Sequence, residues 1–289
     1  MSRRRALLQR LHSLEELGEI LDSMQTLAVI ETRKLTRCSA SQQRVVAGIE
    51  CAAAAFCSGF PDALERPAVS LEACLLLGSE RGFCGDYNDT LLAAFADFDQ
   101  QQPLTRRLLL VGNRLAMKLE NDPRVLVRLN GASAAEEVPA VLGQVVDAVL
   151  ELQSSSLGLT VVYHELAHQQ VNIRRLLPPF ETFVSLPCTS RSPPQIQLPP
   201  RQLLAKLVDH YLFASLTTLF YTALLVENQR RVQHLEAATR RLEEEISRLR
   251  LQANMLRQEE ITEEIEVILL STHTAPLKSP HNWPPYPII

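Results

Sequence analysis

A chain of 289 residues, 46% of them hydrophobic, is long enough to bury one large core or two smaller ones, so disorder along its whole length is excluded. Glycine is scarce at 10 and aromatics make up 5%, which disfavours a sandwich or barrel and favours long helices. A formal net charge of −4 lacks the basic field that nucleic-acid recognition needs, and neither an apolar run of about 18 residues nor a secretory leader is seen, so the expectation is a soluble, intracellular protein with a mature bacterial-type N-terminus.

The first element is a helix. Residues 2–57 contain no proline and only Gly18 and Gly48, while Leu7, Leu14, Leu21, Ala28 and Leu35 recur every seven residues with Leu17 and Met24 between them. About 55 residues at about 1.5 Å each give roughly 80 Å, too long for the packing unit of a small globule. Strand-like and helical runs then alternate: strand 73–77, helix 90–98, strand 108–111, helix 114–120, strand 125–129, helix 134–152, and strands 159–163 and 171–177. That alternation predicts an α/β domain with a mainly parallel sheet. Pro178, Pro179 and the four prolines of residues 192–200 mark the return to a second long helix.

Residues 201–275 contain neither Gly nor Pro. One seam position falls at Leu204, Tyr211, Thr218, Leu225, Val232, Thr239, Ile246 and Ala253, the other at Leu207, Ala214, Tyr221, Asn228, Leu235, Leu242, Leu249 and Leu256. A heptad sustained this far predicts a left-handed supercoil with a partner helix. The N-terminal helix of the same chain is the obvious partner, lying antiparallel; a homodimeric coil is the lesser alternative that periodicity alone leaves open. Residues 275–289 hold five prolines without periodicity and are expected to be extended. The predicted architecture is therefore α/β plus long helices: an antiparallel two-stranded coiled coil of the terminal helices with an inserted Rossmann-like α/β domain. The expected domains are 1–58, 70–190 and 200–272, followed by a Pro-rich tail at 273–289.

Three motifs invite a chemical reading. His164-Glu165-Leu166-Ala167-His168 matches the H-E-x-x-H zinc-hydrolase pattern, which needs a helix to put both imidazoles on one face. Here it follows the β-branched run Thr160-Val161-Val162-Tyr163, and residues four apart on a strand are about 13 Å apart, so a strand end or hairpin is the better reading; no third histidine follows at metzincin spacing, and Glu181 is a remote candidate ligand. Residues 78–85, Gly-Ser-Glu-Arg-Gly-Phe-Cys-Gly, follow a strand and precede a helix, where glycine-rich turns cradle phosphate. Neither nucleotide-binding spacing is present, and Glu80 and Asp86 would repel an anion, which favours a structural turn. Six cysteines (Cys38, Cys51, Cys57, Cys74, Cys84, Cys188) show no Cys-x-x-Cys pair and read as small buried hydrophobes; Cys84 has no histidine near it in sequence to make it a nucleophile. No catalytic, cofactor or metal residue is expected.

The segment from Ser79 to Asn88, Ser-Glu-Arg-Gly-Phe-Cys-Gly-Asp-Tyr-Asn, resembles the S-D-R-G-L-C-G-G-F-N signature of rotary ATP synthase gamma subunits. Glu227-Asn228, Arg231, Ala237-Ala238-Thr239, Arg257-Gln258, Ile261-Thr262 and Glu264-Ile265 are similar to that family's C-terminal helix, and Ile20, Met24, Ala28, Arg33 and Lys34 to its N-terminal one. The three blocks extend to about Leu270. The resemblance implies a non-catalytic central-stalk rotor of an F-type ATP synthase, whose coiled coil enters the ring of alpha and beta subunits while its α/β foot sits with the epsilon subunit on the c-ring. It implies a peripheral location on the cytoplasmic face of a bacterial inner membrane, with the membrane reached only through the c-ring. It assigns Met24, Arg231, Arg257, Gln258, Thr262 and Glu264 to surfaces facing alpha and beta, and Ser79, Arg81, Gly82, Cys84, Gly85 and Asn88 to the signature loop. Glu31 where a basic residue is usual, Asp86 in place of a glycine and the added tail mark a divergent branch, alternative sodium-type bacterial enzymes among them; proton or sodium as the coupling ion stays open.

Overall fold

The computed structural model describes residues 3–63, 69, 71–101, 106–152, 157–166, 170–180 and 194–274. Helix α1 spans Arg3–Gly59 and helix α5 spans Pro200–Thr274. Between them run β1 (Leu71–Leu77), α2 (Tyr87–Gln101), β2 (Arg106–Val111), α3 (Asn113–Lys118), β3 (Val125–Leu129), α4 (Val138–Glu151), β4 (Leu157–His164) and β5 (Val171–Leu177). The chain forms two compact units, one of Met1–Leu21 with Ala238–Ile289, the other of Asp22–Ala237.

In the larger unit the sheet has strand order β3-β2-β1-β4-β5. The first four strands are parallel and β5 pairs antiparallel at the edge, with Tyr163 opposite Asn172 and His164 opposite Val171. Parallel strands are covered on both faces, so their sequences read as near-continuous apolar runs, as in Ala-Cys-Leu-Leu-Leu of β1, where the buried Glu72 just before it accepts from Thr160 Oγ1 at 3.0 Å. Ala73, Leu75, Leu77, Leu109, Val111 and Val161 face α4 and α5; Cys74, Leu76, Leu108, Leu110 and Val162 face α2 and α3 through Leu91, Phe95 and Leu115. This is a doubly wound, Rossmann-like layering. Strand β2 begins two residues earlier than expected because Arg106, buried at 1% exposure, hides a strand start behind a charge: it pairs with Asp99 at 2.6 Å and stacks 4.4 Å from the Phe98 ring. Helix α2 begins at Tyr87 rather than residue 90, with the phenol wholly buried.

The heptad of α5 holds in part. From Val232 to Ala237 in this unit, only one side of the helix is covered, and Leu235 is fully buried. Over residues 214–228 the single-seam expectation fails: all but the half-buried Tyr221 are buried, because Leu216, Leu219, Phe220, Ala223 and Leu224 pack onto the sheet in addition to the seam. By length and composition α5 would pass as a membrane-crossing helix, with a mean hydropathy of 1.2 in its most apolar window; the sheet is what that apolarity covers. The opposite end of α1 packs antiparallel on α5, with Ala53, Phe56 and Cys57 against Tyr211 and Leu207.

In the smaller unit, Arg4 reaches Glu260 at 3.2 Å, Arg10 reaches Glu245 at 3.3 Å and Arg250 reaches Glu15 at 2.5 Å, which sets α1 and α5 antiparallel within one chain. Leu249 and Ala253 are buried, and Leu242, Ile246 and Leu256 of α5 and Leu7, Leu14 and Leu21 of α1 are half-buried. Leu17 is corrected: it is 50% exposed. Gly18 occupies the seam instead, where an added Cβ would lie 3.4 Å from Leu242 Cδ2. A seven-residue count cannot distinguish a large apolar neighbour from a glycine that lets the partner approach.

Candidate functional site

Strand β1 ends at Leu77, and the following loop lies where the sheet order turns from β1 to β4, the crevice in which doubly wound folds bind ligands. Gly78 is required there, since a Cβ would fall 2.3 Å from Leu115 Cβ. The Asn88 side chain closes the loop: it accepts from the Ser79 N–H at 3.0 Å and donates to Ser79 Oγ at 2.8 Å. Cys84 Sγ donates to Ser79 Oγ at 3.3 Å; burial pushes its thiol up, partly offset by the Ser79 hydrogen bond. Phe83 and Gly85 both take positive φ, 61° and 62°. Glu80, expected to repel anions, is tied down by backbone N–H groups of Asn113 at 2.9 Å and Gly131 at 2.6 Å, while Arg81 Nε donates to Ser133 Oγ at 3.0 Å.

The loop closes on helix α5. Glu227 and Arg231, only 3% and 5% exposed, form an ion pair one turn apart, and Arg231 also donates to Asn228 Oδ1 at 2.9 Å and to the Gly82 carbonyl at 3.1 Å. The Glu227 carboxylate accepts the backbone N–H groups of Glu80 and Arg81. Burial raises its pKa first of all; the Arg231 charge and hydrogen bond and the two loop N–H groups pull it back. The N–H groups that would cradle a phosphate thus hold an internal carboxylate. Gly78, Gly131, Phe220 and Glu227 leave a cavity of only about 20 Å³ there, room for about one water and not for a nucleotide.

Tyr87 and His164 back the loop. The Tyr87 hydroxyl, 3.2 Å from the Ala223 carbonyl, is wholly buried, which drives its pKa well up. Its ring lies 4.0 Å from the His164 imidazole, whose Nε2 donates to the Tyr87 carbonyl at 2.9 Å. His164 therefore ends strand β4, and Glu165 begins the turn into β5, donating its N–H to the Gln170 carbonyl at 2.8 Å. His168 and Glu181 lie outside the described residues, as does Cys188; among the described residues no group of three or more metal-ligating side chains gathers. The cysteines divide: Cys57, Cys74 and Cys84 are buried as expected, Cys38 is half-buried and Cys51 is exposed.

Ser79, Arg81, Gly82, Cys84, Gly85 and Asn88 are thus brought together as one loop, and Arg231 joins them. Arg231, expected to face alpha and beta, is buried, with its guanidinium held by Glu227, Asn228 and the Gly82 carbonyl. Met24 is half-buried on α1, while Arg257, Gln258, Thr262 and Glu264 are exposed on α5. Glu31 accepts the Ala135 N–H at 3.3 Å and lies 3.8 Å from Lys34. Sequence reading missed the internal role of Glu227; its signal was a polar Glu-Asn pair inside an apolar stretch with an arginine four residues on.

The chain is thus a Rossmann-like domain, its ligand crevice filled by its own helix, inserted in the sequence between terminal helices that pair with each other. The profile of the family described as ATP synthase matches residues 3–273, and the chain belongs to that family, as one of its gamma subunits. It is 25% identical over 205 residues to the ATP synthase gamma chain of Clostridium botulinum (strain Hall), covering 68% of this chain and 70% of that one. It is 24% identical over 213 residues to the ATP synthase gamma chain of Exiguobacterium sibiricum, covering 71% and 74%. The fold is also that of a chain in the Euglena gracilis mitochondrial ATP synthase, with TM-score 0.59 at 16% identity over 97% of this chain and 99% of that one. A chain from the central stalk and c-ring of the Tetrahymena thermophila mitochondrial ATP synthase matches at TM-score 0.54 and 14% identity, over 76% and 99%. The protein is part of an enzyme complex peripheral to a membrane.

Proposed function

We propose that this chain is the central shaft of a bacterial rotary ATP synthase, on the cytoplasmic face of the inner membrane, and that it performs no chemistry itself. The observation that carries this reading is the antiparallel pairing of α1 and α5 within one chain, with the α/β domain inserted between them. A two-stranded coil resists bending, which a shaft needs. The crevice filled by Glu227 supports a subunit that transmits force and leaves nucleotide to the alpha and beta subunits.

In this reading the shaft turns inside the alpha/beta ring and is driven through its α/β domain by the c-ring, with the epsilon subunit beside it. Met24 and the exposed Arg257, Gln258, Thr262 and Glu264 supply the side chains that meet alpha and beta. Exposed ion pairs are worth about 0–1 kcal/mol each, weak enough to be made and broken at every step. The test is co-expression with the alpha and beta subunits of the same organism, followed by size-exclusion chromatography and ATPase assay. Co-elution at about one copy per three beta subunits, with hydrolysis that depends on this chain, is expected from a closed ring around one shaft. A homodimer that ignores alpha and beta would overturn the reading in favour of a coiled-coil scaffold.

A further inference from the structure

Where α5 lies on the sheet, α1 meets it with small and apolar side chains. The buried residues of α1 there are Leu35, Ser39, Val46 and Ala53, while Thr218 and Thr222 of α5 spend their hydroxyls on carbonyls of their own helix, at 2.8 Å each. Contact of this kind is non-directional and opposes separation more than it opposes sliding. Directional contacts reach α1 from the α/β domain instead. Just after β3, the Ala135 N–H donates to Glu31 Oε2 at 3.3 Å and Glu136 pairs with Lys34. On β5, Arg174 donates to Glu50 Oε1 at 2.8 Å and, from the same nitrogen, to the Tyr211 hydroxyl of α5 at 3.4 Å. Strands β3 and β5 are the two outer strands of the sheet, so α1 is gripped from opposite edges. The grips lie about 16–19 residues apart on α1, roughly 25 Å at about 1.5 Å per residue. An arginine on an edge strand often does no more than repel a stray strand, which describes the exposed Arg175. Arg174 differs in touching both long helices at once, through a charge-assisted bond that is strong and directional.

We infer that Arg174 is a positioning residue for rotation: together with the Glu31 and Lys34 contacts at the other edge, it pins α1 to the sheet, so that α1 turns in register with α5 and the α/β domain instead of sliding along its partner. The inference rests on the shaft reading.

The test uses the complete ATP synthase containing this chain, reconstituted in liposomes. ATP hydrolysis and ATP-driven membrane potential are read on the same vesicles, so the result does not depend on which ion is pumped. R174E and E50R each set like charges against one another across a half-buried contact, and the potential generated per ATP hydrolysed falls about twofold or more. The double variant R174E/E50R restores the pair with its signs exchanged and recovers most of the ratio, which a merely structural loss at either position would not do. E136K, on an exposed side chain facing Lys34, gives a smaller fall in the same ratio. An unchanged ratio in the single variants overturns the inference, and so does a double variant no better than the singles. If neither R174E nor E50R enters the complex, E136K decides by the same criterion. Failure of the shaft reading is distinguishable: a complex assembled without this chain would then retain coupled hydrolysis.

Discussion

Glu227 and Arg231 show how one pair of charges acts differently according to burial. Four apart on an exposed helix they would contribute about 0.2–0.5 kcal/mol. Buried, each is tolerable only because the other is present, so R231A strands an anion beside two loop N–H groups and is expected to destabilise the chain by about 3–5 kcal/mol in denaturant unfolding. R257A, on an exposed position, is expected to leave the same curve unmoved. Equal effects of the two changes would show that Arg231 is not internal. Asp122 gives a pH prediction. Its hydrogen bonds from Arg124 hold its pKa below the ordinary 3.8, against a smaller opposing effect of burial. A carboxylate depressed by folding stabilises the protein above its unfolded pKa and loses that contribution as pH falls through the folded one. D122N should therefore flatten the loss of stability below about pH 4, measured by thermal melting across pH. Thiol chemistry separates the cysteines as well. Burial pushes the Cys74 thiol up to about 12, so it should resist alkylation in the native protein while the exposed Cys51 labels readily, as peptide mass spectrometry would read.

At the scale of elements, the contrast between Leu17 and Leu249 tests the register of the paired helices. Leu249 is 3% exposed in the seam, and L249E is expected to weaken the α1–α5 pairing by several kcal/mol, on the order of 2–5, by burying an unpaired charge. L17E, on the solvent side, should melt as the unaltered chain does; the reverse ranking would place the seam one position away. Most elements were legible in advance because their signals are local. The apolar runs of β1 and β2, the periodicity of α4 and the absence of breakers along α5 each announce an element within a short window. What was illegible depends on partners distant in sequence. Arg106 starts a strand only because Asp99 neutralises it, Gly18 enters the seam only because Leu242 faces it, and residues 214–228 are buried all round only because a sheet built from residues 71–177 covers them.

For the whole molecule, the loop with residues 79–88 was read as a family signature, with a bland structural turn as its physical account. The structure joins these two readings: the turn sits at the switch point where nucleotide-binding crevices lie, yet its N–H groups are occupied by Glu227 from the C-terminal helix. The inward placement of Arg231 is illegible for the same reason, since no single-sequence pattern says whether an i, i+4 pair faces solvent or a loop more than 140 residues away. A chain that has turned a ligand site into an internal joint is suited to carrying force. The most direct measurement of that claim is single-molecule rotation: alpha and beta subunits fixed to a surface, a bead attached to this chain through the exposed Cys51, and ATP supplied. The account predicts sustained rotation in one direction, stepping in threes, that stops when ATP is removed; a bead that stays still while the same complexes hydrolyse ATP would contradict it.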